Sequence, residues 1–269
     1  MSGKVLDSSD ASEGSHTPEG YVELLGRRFY RIDEYDRMAP FFMTVVGAGN
    51  AWLFVSSTGG LTAGRVAPDS ALFPYYTDDK VAESAGRTGG LSLVRVTVPG
   101  ASGVLWEPFT SDQHEGDGPW RALYKDIAGT ALVFEEVRAD LGLRMRVTWQ
   151  TGTRFGIVRS CELTNIGDDE CDVELLDGFV NVLPAGVNVD IQNRLSNLLD
   201  AYKRSEADQR TGLGMFWLSS RLTDLAEPSE SLYANVAWHV GLGGVDLLVS
   251  TQQLPAFRRG GPVLSLIHI

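Results

Sequence analysis

Apolar residues recur at every second position along much of the chain, in short runs cut by turn residues, and this period-two pattern predicts strands. The cleanest run is 143–150, where Leu143, Met145, Val147 and Trp149 face one way and Arg144, Arg146, Thr148 and Gln150 the other. Such a strand lies in a half-buried sheet with one wet face. Residues 91–98 alternate similarly, with Leu91, Leu93, Val94, Val96 and Val98 set against Ser92, Arg95 and Thr97. Further strands are predicted over 27–32, 41–46, 51–56, 120–125, 130–138, 154–164, 171–182, 213–219, 233–239 and 245–250. Gly47-Ala48-Gly49-Asn50 reads as a tight hairpin turn whose residues accept positive φ.

One segment departs from this rhythm. Between Asp190 and about Ser205, Ile191, Leu195, Leu198 and Tyr202 recur at helical spacing and predict one short amphipathic helix. Many long antiparallel strands around a single helix give a mainly β fold, a large antiparallel β-sandwich spanning 21–260. Residues 1–20, rich in Ser, Gly, Asp and Glu, read as a disordered tail without the apolar stretch of a signal peptide. The last residues, Leu264-Ser265-Leu266-Ile267-His268-Ile269, match the translation of a common sequencing-library adapter. The natural protein is therefore expected to continue past about Gly261, with 261–269 a truncated end.

Composition narrows the function classes. The 269 residues carry 35 acids against 23 bases, a net charge of -12. A surface that negative repels phosphate backbones and anionic lipid heads, so neither nucleic acid nor membrane is an expected partner. The N-terminal tail without a signal-peptide stretch sets the expectation of a cytoplasmic location. Cys161 and Cys171 flank the turn Asn165-Ile166-Gly167-Asp168 and are expected as free thiols. There is no Cys-x-x-Cys, no His-Glu-x-x-His and only four histidines, so no metal site is expected.

Catalytic signatures are missing. The chain has no Gly-x-Ser-x-Gly elbow and no phosphate-binding Gly-x-x-x-x-Gly-Lys loop. Glu135 and Glu136 are adjacent on a strand and point to opposite faces, so they cannot act as an acid/base pair. The densest chemistry lies in Thr58-Gly59-Gly60-Leu61-Thr62-Ala63-Gly64-Arg65 and Ala71-Leu72-Phe73-Pro74-Tyr75-Tyr76-Thr77-Asp78-Asp79-Lys80. Flexible backbone, a guanidinium, two tyrosines and two carboxylates are a set that binds sugars, by ring stacking and paired hydrogen bonds to vicinal hydroxyls. The candidate substrate-binding or interdomain residues are Arg65, Tyr75, Tyr76, Asp78 and Asp79. A local alternative has Thr77 capping a short helix, with Asp78 and Asp79 in its first turn. The tryptophans 52, 106, 120, 149, 217 and 238 fall at strand positions; core packing accounts for most, and one or two can line a glycan groove.

These two motifs, with Phe29-Tyr30-Arg31-Ile32 and Pro40-Phe41-Phe42-Met43, resemble the N-terminal region of proteins related to cellobiose phosphorylases, glycoside hydrolase family 94. The stretch from Val158 to Asn165 followed by 171–183 is similar to a strand pair of that family's sandwich. The resemblance covers about residues 20–260. It implies a galactose-mutarotase-like β-supersandwich joined by a helical linker to an (α/α)6 barrel that carries the catalytic acid and the phosphate site. The implied function is that of the N-terminal non-catalytic sandwich of a glycoside phosphorylase-like enzyme acting on β-glucosides. The implied partners are an oligosaccharide, its own missing catalytic barrel and a second copy in a homodimer; inorganic phosphate is the co-substrate, with no other cofactor. A free-standing carbohydrate-binding module is the alternative, and it requires an exposed aromatic platform. A mutarotase-like epimerase needs a facing acid and base. His16 falls in the tail, His114 in an acidic loop and His268 in the suspect end, which leaves only His239.

Overall fold

The computed structural model describes residues 20–97, 103–110, 118–220 and 233–263. His16, His114, Val98 and the apolar end 264–269 lie outside them, as does the expected tail except Gly20. That glycine opens strand β1 (Gly20–Leu24), which is followed by β2 (Arg27–Asp33), β3 (Phe42–Val45), β4 (Ala51–Ser56), β5 (Leu61–Arg65) and β6 (Ala71–Phe73). A short helix α1 (Asp78–Glu83) leads to β7 (Gly89–Thr97) and β8 (Val104–Trp106). A meander of β9 (Trp120–Asp126), β10 (Ala131–Arg138), β11 (Leu143–Gly152), β12 (Gly156–Asn165) and β13 (Asp172–Val180) comes next. The helices α2 (Val189–Arg194) and α3 (Ser196–Tyr202) precede β14 (Lys203–Asp208), β15 (Leu213–Leu218), β16 (Ala234–Trp238) and a last helix α4 (Leu254–Arg258).

All strand pairings are antiparallel. A six-stranded sheet runs β1-β2-β9-β10-β11-β12; a four-stranded sheet runs β3-β4-β5-β6; two three-stranded sheets run β13-β7-β8 and β14-β15-β16. The fold is therefore a mainly β antiparallel sandwich, as the alternation predicts. Its main core forms where the inner face of the six-stranded sheet (Leu123, Leu132, Phe134, Met145, Val147, Trp149) meets the other layer. That layer supplies Val45, Leu53, Val55, Leu61 and Phe73 from the four-stranded sheet, with Val94, Val96 and Trp106 from the β7–β8 pair. Each such side chain contributes roughly 1.5–3 kcal/mol on full burial, so this one cluster dominates the stability of the fold.

Polar links fix how the layers sit. Lys125 Nζ donates to the Thr44 carbonyl at 2.8 Å, and the Val46 N–H donates to the Gly129 carbonyl at 2.9 Å. Glu136 is fully buried and accepts from Trp106 Nε1 (2.6 Å), the Phe109 N–H (2.6 Å) and Arg121 Nε (2.8 Å). A buried carboxylate is tolerable only when so fully hydrogen-bonded and paired. Its neighbour Glu135 takes the opposite face of β10, where it accepts from Tyr124 Oη at 2.9 Å and pairs with Arg146. Burial, reinforced by that carboxylate, pushes the Tyr124 hydroxyl well above its ordinary range.

Four expectations need correction. The glycines of the Gly47-Ala48-Gly49-Asn50 turn do not use positive φ. Close approach accounts for Gly47 instead, where a Cβ would lie 2.1 Å from Thr151 Oγ1; one on Gly49 would be 3.2 Å from the Gly152 carbonyl, tight but open to a small shift. The segment expected to be flexible at 58–65 contains strand β5, with Leu61 to Gly64 all buried. The expected helix of 190–205 is two helices broken at Leu195, whose φ of -123° is not helical, and the chain turns to strand at Lys203. The break shifts the register, so Leu199 is buried and Leu198 is exposed. Residues 245–250 form no ladder: the Leu247 N–H and C=O are taken by the side-chain amide of Gln209, at 3.1 and 3.0 Å. Helix α4, which nothing in the alternation predicts, is too short to stand alone. It is pinned by Phe257 packing on Leu91, Leu93 and Val180 and by the fork of Arg258 on Glu107 at 2.8 and 2.9 Å.

Candidate functional site

The hairpin of β3 and β4 sets two periods of alternation against one another. Met43, Val45, Leu53 and Val55 fill the core, so the residues between them must line the outer face. Of the positions in that phase, Phe42, Trp52 and Phe54 are aromatic and Thr44 is polar. Phe42 stacks on Phe54 with centroids 5.5 Å apart and planes 27° apart, and Trp52 lies 5.8 Å from Phe54 on the same strand. Beyond Trp52 the row is continued by Tyr75, arriving from the loop after β6 with its ring edge-on to the indole at 5.8 Å and 87°. Phe42 and Tyr75, the two ends, are 46% and 44% exposed, while Trp52 and Phe54 between them are half-buried.

Gly64 makes this row possible. It sits opposite Trp52 in the β4–β5 register, where β5 and β6 slip past one another in an irregularity at Ala63/Gly64. A Cβ there would come within 2.5 Å of Trp52 Cζ2, 2.7 Å of the Ser70 carbonyl oxygen and 2.8 Å of Ala71 Cα. The indole can lie flat across β5 only because that position has no side chain. On the same face, Trp52 Nε1 and Thr62 Oγ1 are buried without a hydrogen-bond partner. Each such group costs about 1–3 kcal/mol, a cost borne at this face and not in the main core.

The five residues singled out in the sequence relate differently to this row. Tyr75 is part of it, and its N–H donates to Gln192 Oε1 of α2 at 3.0 Å. Arg65 ends β5, exposed, with Nε donating to Asn50 Oδ1 at 3.0 Å. Tyr76 follows Tyr75, half-buried. Asp78 and Asp79 are exposed in the first turn of α1, and Thr77 stands at its N-cap position. The Thr77 hydroxyl does not cap the helix; it donates to Asp79 Oδ1, and that bond holds the Asp79 carboxyl below its ordinary range. The structure thus brings Tyr75 together with Trp52 and leaves the two carboxylates in a helical first turn.

Trp52, Phe54 and Phe42 are not among the five candidate residues, although Trp52 is one of the tryptophans that can line a glycan groove. The signal was present, because two alternating strands joined by a short turn fix which residues share a face, but it emerges only when the phases of both strands are read together. Of the other tryptophans, Trp106 and Trp149 are buried in the core and Trp238 is exposed at the end of β16, edge-on to Phe155 at 5.7 Å. His239 follows β16, exposed, with its ring against Gly212.

A second polar cluster lies between the layers. Arg159, largely buried, donates to Asp177 Oδ2 at 2.6 Å and to Ser92 Oγ at 2.7 Å, and Ser92 Oγ donates to Asp177 Oδ1 at 2.5 Å. Cys161 sits beside this group as a free thiol, and burial, with help from the Asp177 charge, pushes it up to about 12. A thiol so disposed is a poor nucleophile. Among the described residues no group of three or more His, Cys, Asp or Glu side chains could hold a metal ion, and no helix is long and apolar enough to cross a membrane. Neither known protein families nor characterised proteins give a match to the chain.

Proposed function

We propose that this chain is the N-terminal, non-catalytic sandwich of a glycoside phosphorylase-like enzyme acting on β-glucosides, and that it contacts glycan along the Phe42–Phe54–Trp52–Tyr75 row. The observation that carries this reading is the row itself. Aromatic faces stack on the C–H faces of pyranose rings while hydroxyls stay in water or meet polar neighbours, and Tyr and Trp serve wherever one side must be apolar and the other wet. Gln192 of α2 stands at the Tyr75 end of the row, its Oε1 accepting from the Tyr75 N–H, and the exposed Tyr75 is free to meet hydroxyls from water. In this reading the resemblance to family 94 supplies the larger setting. The catalytic acid and the phosphate site belong to a barrel that follows the sandwich, and inorganic phosphate is the attacking co-substrate.

The same row also favours a free-standing carbohydrate-binding module, for which an exposed aromatic platform is the requirement. The two readings agree on the surface and differ in whether a catalytic domain acts on the bound chain. Titration of the chain with cellotetraose tests the surface. Trp52→Ala is expected to weaken binding at least tenfold, about 1.4 kcal/mol, and Tyr75→Ala less. Binding indifferent to both substitutions, or no binding at all, would refute the reading.

A further inference from the structure

The opposite outer face of the sandwich carries a second, differently built depression. On the six-stranded sheet, Arg146, Thr148 and Gln150 of β11 and Ser160 and Glu162 of β12 line an open groove of about 420 Å³, closed at one end by Arg27 and the turn between β1 and β2. The cross-strand register explains the assembly. Arg146 sits opposite Glu162 and Thr148 opposite Ser160, so these polar side chains face the same way, with Val158 opposite Gln150 as the one apolar member of the cross-strand set. The two guanidinium groups are held from behind. Arg146 is fixed by the buried Glu135, and Arg27 donates to Thr130 Oγ1 at 3.0 Å and lies 3.5 Å from the buried Asp126. A planar donor fork immobilised in this way loses little freedom on meeting a ligand. Thr148 is nine-tenths buried yet lines the groove, beside the hydroxyl of Ser160 and the amide of Gln150.

From this lining we infer that the groove is a second binding site, selective for an uncharged polyhydroxylated ligand of the size of one sugar ring. The charges decide the class. Arg27, Arg146 and Arg144, whose Nη2 lies 4.0 Å from Glu162, bring three positive charges, and Asp126, Glu135 and Glu162 bring three negative ones, so the groove offers no net attraction to an anion. What it offers instead is a ring of fixed donors, one exposed carboxylate acceptor, and hydroxyl and amide groups that can do either, which is the complement of vicinal hydroxyls. The inference shares a ligand class with the proposed function but uses no residue of the aromatic row.

The test is an NMR titration of the isotope-labelled chain with methyl β-glucopyranoside, methyl β-glucuronide and inorganic phosphate, repeated on Gln150→Ala/Ser160→Ala and on Trp52→Ala. Neither groove substitution removes an ion pair; should the double variant fold poorly, Ser160→Ala alone carries the comparison. The expected result is that the neutral glucoside shifts amides of β11 and β12. Its affinity there should fall at least threefold in the groove variant and stay unchanged in Trp52→Ala, and the glucuronide should bind more weakly than the glucoside. Tighter binding of glucuronide or phosphate would make this an anion site and overturn the inference. Shifts confined to β3 and β4, or a groove variant equal to wild type, would overturn it while leaving the aromatic row standing. Groove shifts that persist beside a row indifferent to Trp52→Ala would keep the groove and sink the row.

Discussion

Gly64→Ala sets the fold and the aromatic row against each other in a single methyl group. Two effects oppose. Gly64 has a backbone conformation open to L residues, so the substitution gains about 0.4–1 kcal/mol by restricting the unfolded chain. Against this, the new Cβ meets Trp52 Cζ2, the Ser70 carbonyl oxygen and Ala71 Cα, all within 2.8 Å. The indole can swing aside, but the backbone of Ser70 and Ala71 can yield only by moving the start of β6. Overpacking of this kind costs roughly 1–3 kcal/mol. The net expectation is a loss of about 1–2 kcal/mol, read as a fall in thermal midpoint of about 2–4 °C per kcal/mol for a chain of this size. Displacing Trp52 should also change the tryptophan emission and weaken cellotetraose binding, because the indole then no longer lies flat between Phe54 and Tyr75. A variant with an unchanged or higher midpoint and unchanged emission would show that Gly64 does not shape the row, and the reasoning would fail.

Three further outcomes follow from the same geometry. Glu136→Ala removes the acceptor for Trp106, Phe109 and Arg121 and leaves the Arg121 guanidinium buried with only the partly exposed Asp36 (3.3 Å) as counter-charge; urea unfolding should show a loss of about 3–5 kcal/mol. Val66 holds φ at +60° and is 76% exposed, so Val66→Gly should relieve about 1–2 kcal/mol of strain against about 0.4–1 kcal/mol of added unfolded-chain entropy and raise the thermal midpoint slightly. Cys161 keeps its proton in the folded state up to about pH 12, whereas the unfolded thiol ionises from pH 9, so unfolding releases protons above pH 9. Its contribution to stability is therefore lost as pH rises from 9 towards 12, and the fall measured by urea unfolding over that window should be shallower in Cys161→Ser.

Most of the sandwich was legible because its strands are wet on one face. Over β11, arginines and a threonine alternate with Leu143, Met145, Val147 and Trp149, and both phase and length can be read directly. Strand β5 was not legible, since Leu61 to Gly64 are all buried and the small Ala63 and Gly64 stand where alternation should show. Strands β6 and β8 are three residues each, too short for any period to register. The helix near 190 was visible, but the break at Leu195 follows from packing of Leu199 and Tyr202 against Leu183 and Val187, contacts distant in sequence. At the candidate site, Tyr75 stood out by composition. Trp52 and Phe54 did not, because their significance lies in the face they share with Phe42 and in the missing side chain of Gly64.

The central claim is that glycan lies on the aromatic row, and saturation-transfer NMR tests it most directly. With cellotetraose present in excess, irradiation of the aromatic protons of the chain should transfer saturation to the pyranose ring protons. The effect should be strongly diminished in Trp52→Ala, leaving only transfer to sugar held in the β11–β12 groove, and retained in Trp238→Ala, which removes an exposed tryptophan elsewhere. Transfer that survives Trp52→Ala undiminished, or that disappears with Trp238→Ala, would contradict the account.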